Sequence, residues 1–277
     1  GYIGSALLKM LRALEHPVIG LSRVDGDIAG NTDLTRLIED QSLSMMYHLA
    51  GAVGVQESWN NPQEFYRVNV LGTQRMLEVC RRTGARMVYV SGYLYAGHTK
   101  EPATEDADIK PMNPYAHSKF LAEEMCRFYS ANHKVHCTII RPFNVYGGQQ
   151  SAKFLIPQIL EQIRAPGRTI LVNDLEPIRD YLYIDDLISA LIALLGHKHL
   201  FEIFNIGTGV GHSVGEVANL MQAVWGTQKE VSSREIPRLN EISVSVANVE
   251  KIRSQIGWQA SFSLKKGLRT MFSESSS

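Results

Sequence analysis

The sequence predicts an α/β protein with a doubly wound parallel sheet, followed by a smaller α/β C-terminal region. Three observations carry this. Short apolar runs alternate with amphipathic segments through the first half, the chain opens on a glycine turn that leads into a helical pattern, and past Tyr146 the alternation loosens. Parallel neighbours need a long crossover, and a helix is the usual one, so strict alternation points to a parallel sheet covered on both faces.

Gly1-Tyr2-Ile3-Gly4 resembles the last part of a G-x-x-G-x-x-G turn, with a helix expected over Ser5 to Leu14. Such a turn brings backbone N–H groups to a pyrophosphate at a helix N-terminus. The first glycine and the strand before it are absent from the sequence, so the sheet is expected without its first strand or closed in another way. Pro17 to Leu21, Met45 to Leu49, Arg86 to Ser91 and Val135 to Ile140 read as buried strands. Between them Thr32 to Glu39, Phe65 to Thr83 and Tyr115 to Asn132 carry the helical period. Gly147 to Gln150 and Arg164 to Gly167 are loops, and the remainder mixes helices with short strands.

The balance of 28 basic and 28 acidic residues gives no reason to expect a nucleic-acid or anionic-membrane partner. Cys80, Cys126 and Cys137 lack C-x-x-C spacing and suit reduced thiols, no apolar run approaches about 18 residues, and no signal peptide opens the chain. A cytoplasmic protein without a membrane segment is expected. The nine histidines lack ligand spacing, so no metal site is expected.

Tyr115 and Lys119 stand four residues apart where a helix should begin, which places a phenol and an ammonium on one face. A phenol titrating at about 10 shuttles protons poorly at neutral pH, and a nearby cation favours the phenolate. The pair then moves a proton to or from a hydroxyl or carbonyl oxygen. The competing reading is an ordinary helix start with a solvated lysine.

Further motifs follow in order: Gly20-Leu21-Ser22-Arg23, His48-Leu49-Ala50-Gly51, Asn69-Val70-Leu71-Gly72-Thr73 and Arg141-Pro142-Phe143-Asn144-Val145-Tyr146-Gly147. Ile178 to Asp186, Phe204 to Gly209 and Ile256-Gly257-Trp258 continue the set. With Tyr115 and Lys119 this ordered set resembles the extended short-chain dehydrogenase/reductase family, in its group of nucleotide-sugar epimerases, dehydratases and reductases. The resemblance implies a Rossmann-type dinucleotide-binding domain over 1–147, with 179–209 returning to it. A nucleotide-sugar domain would then comprise 148–178 and 210–277.

The resemblance also implies roles. Tyr115 is the acid/base, and Lys119 holds the nicotinamide ribose while lowering the phenol pKa. Gly1, Tyr2, Ile3, Gly4, Asp27, Ile28, Leu49, Ala50 and Asn69 line the cofactor. His48 is read as structural. Arg23 stands where the adenosine ribose is recognised and would pair with a 2′-phosphate, which favours NADP, with NAD as the alternative. Asn144, Arg179 and Arg238 bind the nucleotide-diphosphate sugar, the arginines clamping its diphosphate. The family's second catalytic hydroxyl falls on Gly92, leaving Ser91 as its deputy, with Tyr93 or a water as other candidates. Tyr93 and Leu94 replace the acidic pair of the dehydratases, which argues against dehydration and decarboxylation.

The expected reaction is therefore NADPH-dependent 4-ketoreduction of a nucleotide sugar. Trp59-Asn60-Asn61, Asp174 to Asp180 and Pro237 to Glu241 are similar to reductases acting on GDP-linked 4-keto-6-deoxy-hexoses. Nucleotide-sugar 4-epimerisation is the alternative, and a non-catalytic nucleotide- or partner-binding scaffold is the alternative of another class. The resemblance further implies a homodimer through the helices over Phe65–Thr83 and Tyr115–Asn132.

Overall fold

A computed structural model describes residues 1–30, 42–93, 102–235 and 242–274. The described strands are β1 (Met45–His48), β2 (Arg86–Val90), β3 (Cys137–Pro142), β4 (Asn144–Tyr146), β5 (Thr169–Val172), β6 (Ile178–Tyr183), β7 (Phe201–Ile206), β8 (Gly211–Ser213), β9 (Glu230–Ser233) and β10 (Val244–Ser245). The described helices are α1 (Tyr2–Ala13), α2 (Val55–Asn60), α3 (Pro62–Tyr66), α4 (Gly72–Thr83), α5 (Pro114–His133), α6 (Leu155–Arg164), α7 (Ile184–Ala193), α8 (Val214–Trp225), α9 (Glu250–Ile256) and α10 (Leu264–Glu274).

The main sheet runs β1-β2-β3-β7, parallel throughout. Side chains alternate across it, as a strand's period of two requires. Val88, Val90, Ile140 and Phe204 face one core with Leu7 and Leu11 of α1 and Leu187 and Leu191 of α7. Met87, Tyr89, Cys137 and Ile139 face the other, under Leu77 and Cys80 of α4 and Ala122 and Cys126 of α5. Both faces are covered, which confirms the doubly wound reading. A second sheet orders β10-β6-β4 with β8 antiparallel to β6, and β5 pairs with β9.

Two segments differ from the sequence reading. Pro17–Leu21 forms no strand, and Ile19 and Leu21 are 53% and 42% exposed. A strand is held by a neighbour about 4.8 Å away, and β1 has only β2 as a ladder partner among the described residues. The expected helix over Phe65–Thr83 is α3 and α4 joined through a π turn, Arg67–Leu71. A widened turn inserts one extra residue into the helical circuit, and here it carries Asn69. The segment expected over Thr32–Glu39 lies outside the described residues.

Helix α5 starts where its sequence dictates. Asn113 accepts a hydrogen bond from Ala116 N at 2.8 Å, and Pro114 opens the first turn. Farther along, Glu123 meets Arg141 of β3, with Arg141 Nε 3.0 Å from Oε1; their side chains are 3% and 1% exposed. Removing one partner strands the other as a buried charge, at a cost of about 3–5 kcal/mol. Glu123→Gln should lose stability on that scale in urea unfolding. The double variant Glu123→Met/Arg141→Leu, in which no charge is stranded, should recover most of it.

Candidate active site

The site assembles at the C-terminal ends of β1 and β2, where parallel sheets place their ligand crevices. Tyr115, Ser118 and Lys119 share one face of α5. Ser118 Oγ donates to Tyr115 O at 2.8 Å and accepts from Asn69 Nδ2 at 2.9 Å. Asn69 also accepts from Ala52 N at 2.8 Å and donates to Ala52 O at 3.1 Å. The π turn thus ties the loop after β1 to the Tyr115–Lys119 face of α5, and Asn69 spends its amide on that tie.

Lys119 is buried, donates to Val90 O at 2.9 Å and stands 5.0 Å above the Tyr89 ring. A methyl group at Gly51 would lie 3.2 Å from Lys119 Nζ and 3.0 Å from Asn69 Oδ1, so glycine here admits both groups. Burial pulls the ammonium down to about 8, against the upward pull of Glu123 one turn on. The phenol moves the opposite way. Burial, with Tyr93 beside it, pushes Tyr115 up to about 12. The expectation that Lys119 lowers the phenol is corrected: sequence spacing brought the groups to one face, but Nζ points to a carbonyl and desolvation dominates.

His48 is 3% exposed, with Nε2 2.9 Å from Thr73 Oγ1. Thr73 already donates to Asn69 O at 2.6 Å, so the imidazole Nε2 is the donor in this contact. Burial and the Lys119 cation pull it down to about 3, which fits a structural residue.

The glycine turn lies beside this crevice. Gly1 precedes α1 without a side-chain cap, and a methyl group at Gly1 would meet nothing within 4 Å. Tyr2, Ile3 and Gly4 form the first turn of α1, whose uncapped N–H groups suit a phosphate. A methyl group at Gly4 would lie 3.5 Å from Leu49 Cδ1, so the turn abuts the end of β1, where Ala50 is exposed. Ile28 packs against Gly72, and Asp27 pairs with Arg67 at 2.6 Å. Arg23 is exposed in a turn, close enough to Asp27 and Glu64 for its charge to bear on both carboxylates.

Across the crevice, Ser91 is buried and its Oγ has no hydrogen-bond partner among the described residues. An orphaned hydroxyl beside the ends of β1 and β2 fits a site built to receive a dinucleotide. A methyl group at Gly92 would stand 3.6 Å from the Tyr115 hydroxyl, so position 92 is the one that faces the phenol. Asn144 donates to Asp180 O at 3.2 Å and accepts from the Tyr93 hydroxyl at 3.0 Å. Arg179, on β6, donates to Ile178 O at 2.8 Å. Arg238 lies outside the described residues, as does Leu94.

Sequence reasoning missed Glu123, although the four-residue step from Lys119 repeats the Tyr115–Lys119 spacing. It also missed the Tyr93–Asn144 contact, for which no local signal exists.

A phenol and an ammonium on one helix face stand beside a glycine turn at the C-terminal edge of a parallel sheet. Comparison with known proteins gives the family. A model described as "NAD dependent epimerase/dehydratase family" matches residues 1–207, and the chain belongs to that family of enzymes. A UDP-glucose 4-epimerase of Mycolicibacterium smegmatis is 30% identical, covering 97% of this chain and 93% of its own. Another, of Azospirillum brasilense, is 31% identical over 93% of this chain and 84% of its own. Among solved structures, MoeE5 in complex with UDP-glucuronic acid and NAD shares 28% identity at a TM-score of 0.88, covering 100% of this chain and 96% of that one. RMD from Pseudomonas aeruginosa with NADPH shares 25% at 0.90, covering 99% and 95%. No helix among the described residues is long and apolar enough to cross a membrane.

The His48 environment gives a pH prediction. Its folded pKa lies below the unfolded value of about 6.5, so the unfolded chain binds more protons between about 6.5 and about 3. His48 therefore supports the fold above pH 6.5 and loses that support as the pH falls. His48→Gln, able to donate to Thr73 without titrating, should gain on the native chain by up to about 1.4 kcal/mol per pH unit below 6.5, read from denaturant unfolding at pH 7 and pH 5.

Proposed function

We propose that the protein is a UDP-sugar 4-epimerase with NAD as its resident cofactor. The observation that carries this is the Tyr115–Lys119 face beside the glycine turn, in a chain about 30% identical to two UDP-glucose 4-epimerases over nearly its whole length. In this reading Tyr115 exchanges the proton of the sugar's 4-oxygen, and Lys119 turns from Val90 O to the nicotinamide ribose. Nicotinamide, when bound, supplies the site with a reversible hydride acceptor. Gly1 to Gly4 hold the pyrophosphate, Leu49, Ala50, Asp27 and Ile28 line the cofactor, and Asn144, Arg179 and Arg238 hold the sugar nucleotide. Residues 1–147 and 179–209 then serve the cofactor, and 148–178 and 210–277 the sugar nucleotide.

The NADPH-dependent ketoreduction expected from sequence rested largely on Arg23. Asp27 and Glu64 lie within its electrostatic reach, and Asp25 is two residues away. Those carboxylates oppose the added charge of a 2′-phosphate, which supports NAD. A homodimer remains our proposal for the outer face of the α3–α4 and α5 pair, where Leu71 and Phe128 are 55% and 56% exposed. Light scattering should give twice the chain mass.

The purified chain, supplied with UDP-glucose and NAD, should form UDP-galactose without net change in cofactor absorbance. Tyr115→Phe should lower kcat at least about 100-fold, the scale of a lost acid/base group. Net NADPH consumption with a 4-keto sugar nucleotide, and no epimer formed, would return the assignment to ketoreduction.

A further inference from the structure

The residue that faces the Tyr115 hydroxyl, Gly92, has no side chain. A methyl group placed there would stand 3.6 Å from the phenol oxygen, so a serine at 92 would set its hydroxyl beside the phenol. An oxygen that alternates between alcohol and ketone gains from a second fixed donor aimed at its developing charge. Gly92 supplies none. Ser91 is buried one residue earlier, its N–H committed to Ile140 O at 2.9 Å.

Tyr93 is built for the task. Its ring stacks on Phe143, centroids 5.4 Å apart and planes 23° apart, and Phe143 is 2% exposed, which gives the stack a fixed base. Its hydroxyl donates to Asn144 Oδ1 at 3.0 Å, while Asn144 Nδ2 is anchored on Asp180 O at 3.2 Å. Asn144 also sits opposite Tyr181 in the β4–β6 register. Tyr93 thus meets the residue read as holding the sugar nucleotide, and it follows directly on the glycine that faces the Tyr115 hydroxyl.

We propose that Tyr93 is the second hydroxyl of the reaction site, donating to the sugar's reacting oxygen in place of a residue-92 side chain. This rests on the sugar-nucleotide reading above. A phenol hydrogen has two in-plane positions, so the O–H turns from Asn144 Oδ1 to the substrate, and Asn144 Oδ1 becomes free to accept from a sugar hydroxyl. In the oxidative half, Tyr115 would take the O–H proton while nicotinamide, when bound, would supply the hydride acceptor, so that the C–H bond breaks as the C=O bond forms. The reductive half reverses each transfer. Tyr93 keeps its proton throughout and stabilises charge on the oxygen.

Tyr93→Phe keeps the ring stack and removes only the hydroxyl. With UDP-glucose and NAD, its kcat should fall about 100-fold with KM changed little, the scale of one lost oxyanion donor. Gly92→Ser in the Tyr93→Phe background should restore kcat to within about 10-fold of the native chain. NADH binding, read by energy transfer from protein to nicotinamide, should be the same in the native chain and both variants, which separates chemistry from folding. If Tyr93→Phe turns over at the native rate, or Gly92→Ser fails to rescue it, the role of Tyr93 is overturned while the epimerase reading stands. A native chain that binds NADH but forms no UDP-galactose overturns both.

Discussion

The buried pair between Arg141 and Glu123 fixes how α5 lies on the main sheet, and the reactive groups are displayed from α5. A guanidinium and a carboxylate this deeply enclosed cannot be traded for water, so the pair is either made with full geometry or it is strongly destabilising. Arg141 Nη1 also reaches Glu105 O at 3.0 Å, and Glu105 in turn accepts from Asn205 N at 2.8 Å. A loop ahead of α5 and strand β7 are therefore held by the same charges. Lys119 lies one turn before Glu123, so the carboxylate that anchors the helix also offsets part of the cost of burying the ammonium.

The parts legible in the sequence were those set by local periodicity. Alternation gave β1, β2 and β3 and the two covered faces, and the helix expected over Tyr115 to Asn132 is α5, one residue longer at each end. Counting along the motif placed the missing hydroxyl at Gly92, where a methyl group would stand 3.6 Å from the Tyr115 hydroxyl. Periodicity failed where structure depends on a neighbour. Pro17–Leu21 is apolar enough for a strand, yet a strand is defined by its ladder. The π turn at Asn69 differs from an α turn by one residue, too little for a hydrophobic pattern to register.

Electrostatics were the least legible part. A four-residue spacing says that Tyr115 and Lys119 share a face, and nothing about where Nζ points. In the fold it points to Val90 O, the phenol is governed by desolvation, and the two groups titrate in directions opposite to those a simple ion pair would give. Arg23 misled in a similar way. One guanidinium after a strand suggests a phosphate, whereas the potential at that turn is the sum over Arg23, Asp25, Asp27, Glu64 and Arg67. Arg67 is shared between Asp27 at 2.6 Å and Glu64 at 2.8 Å, so the three carboxylates outnumber the two guanidiniums and the turn as a whole is not cationic.

The two ends of the crevice are joined through α7. On one side Leu7 and Leu11 of α1 pack in the same core as Leu187 and Leu191 of α7, so the glycine turn is positioned by a helix far along the chain. On the other side Asp186 accepts from Ser261 N at 2.9 Å and Phe262 N at 3.0 Å, and Ser189 Oγ accepts from Trp258 Nε1 at 2.8 Å. Helix α7 thus grips the C-terminal segment with buried polar contacts and α1 with apolar ones. Asp180, on the strand that leads into α7, gathers Thr208 N at 2.9 Å, Gly209 N at 2.9 Å and Ala247 N at 3.3 Å on one carboxylate. Its own carbonyl orients Asn144. A change that loosens β6 or α7 therefore reaches the glycine turn and the Asn144–Tyr93 contact together, although those features lie far apart in the sequence.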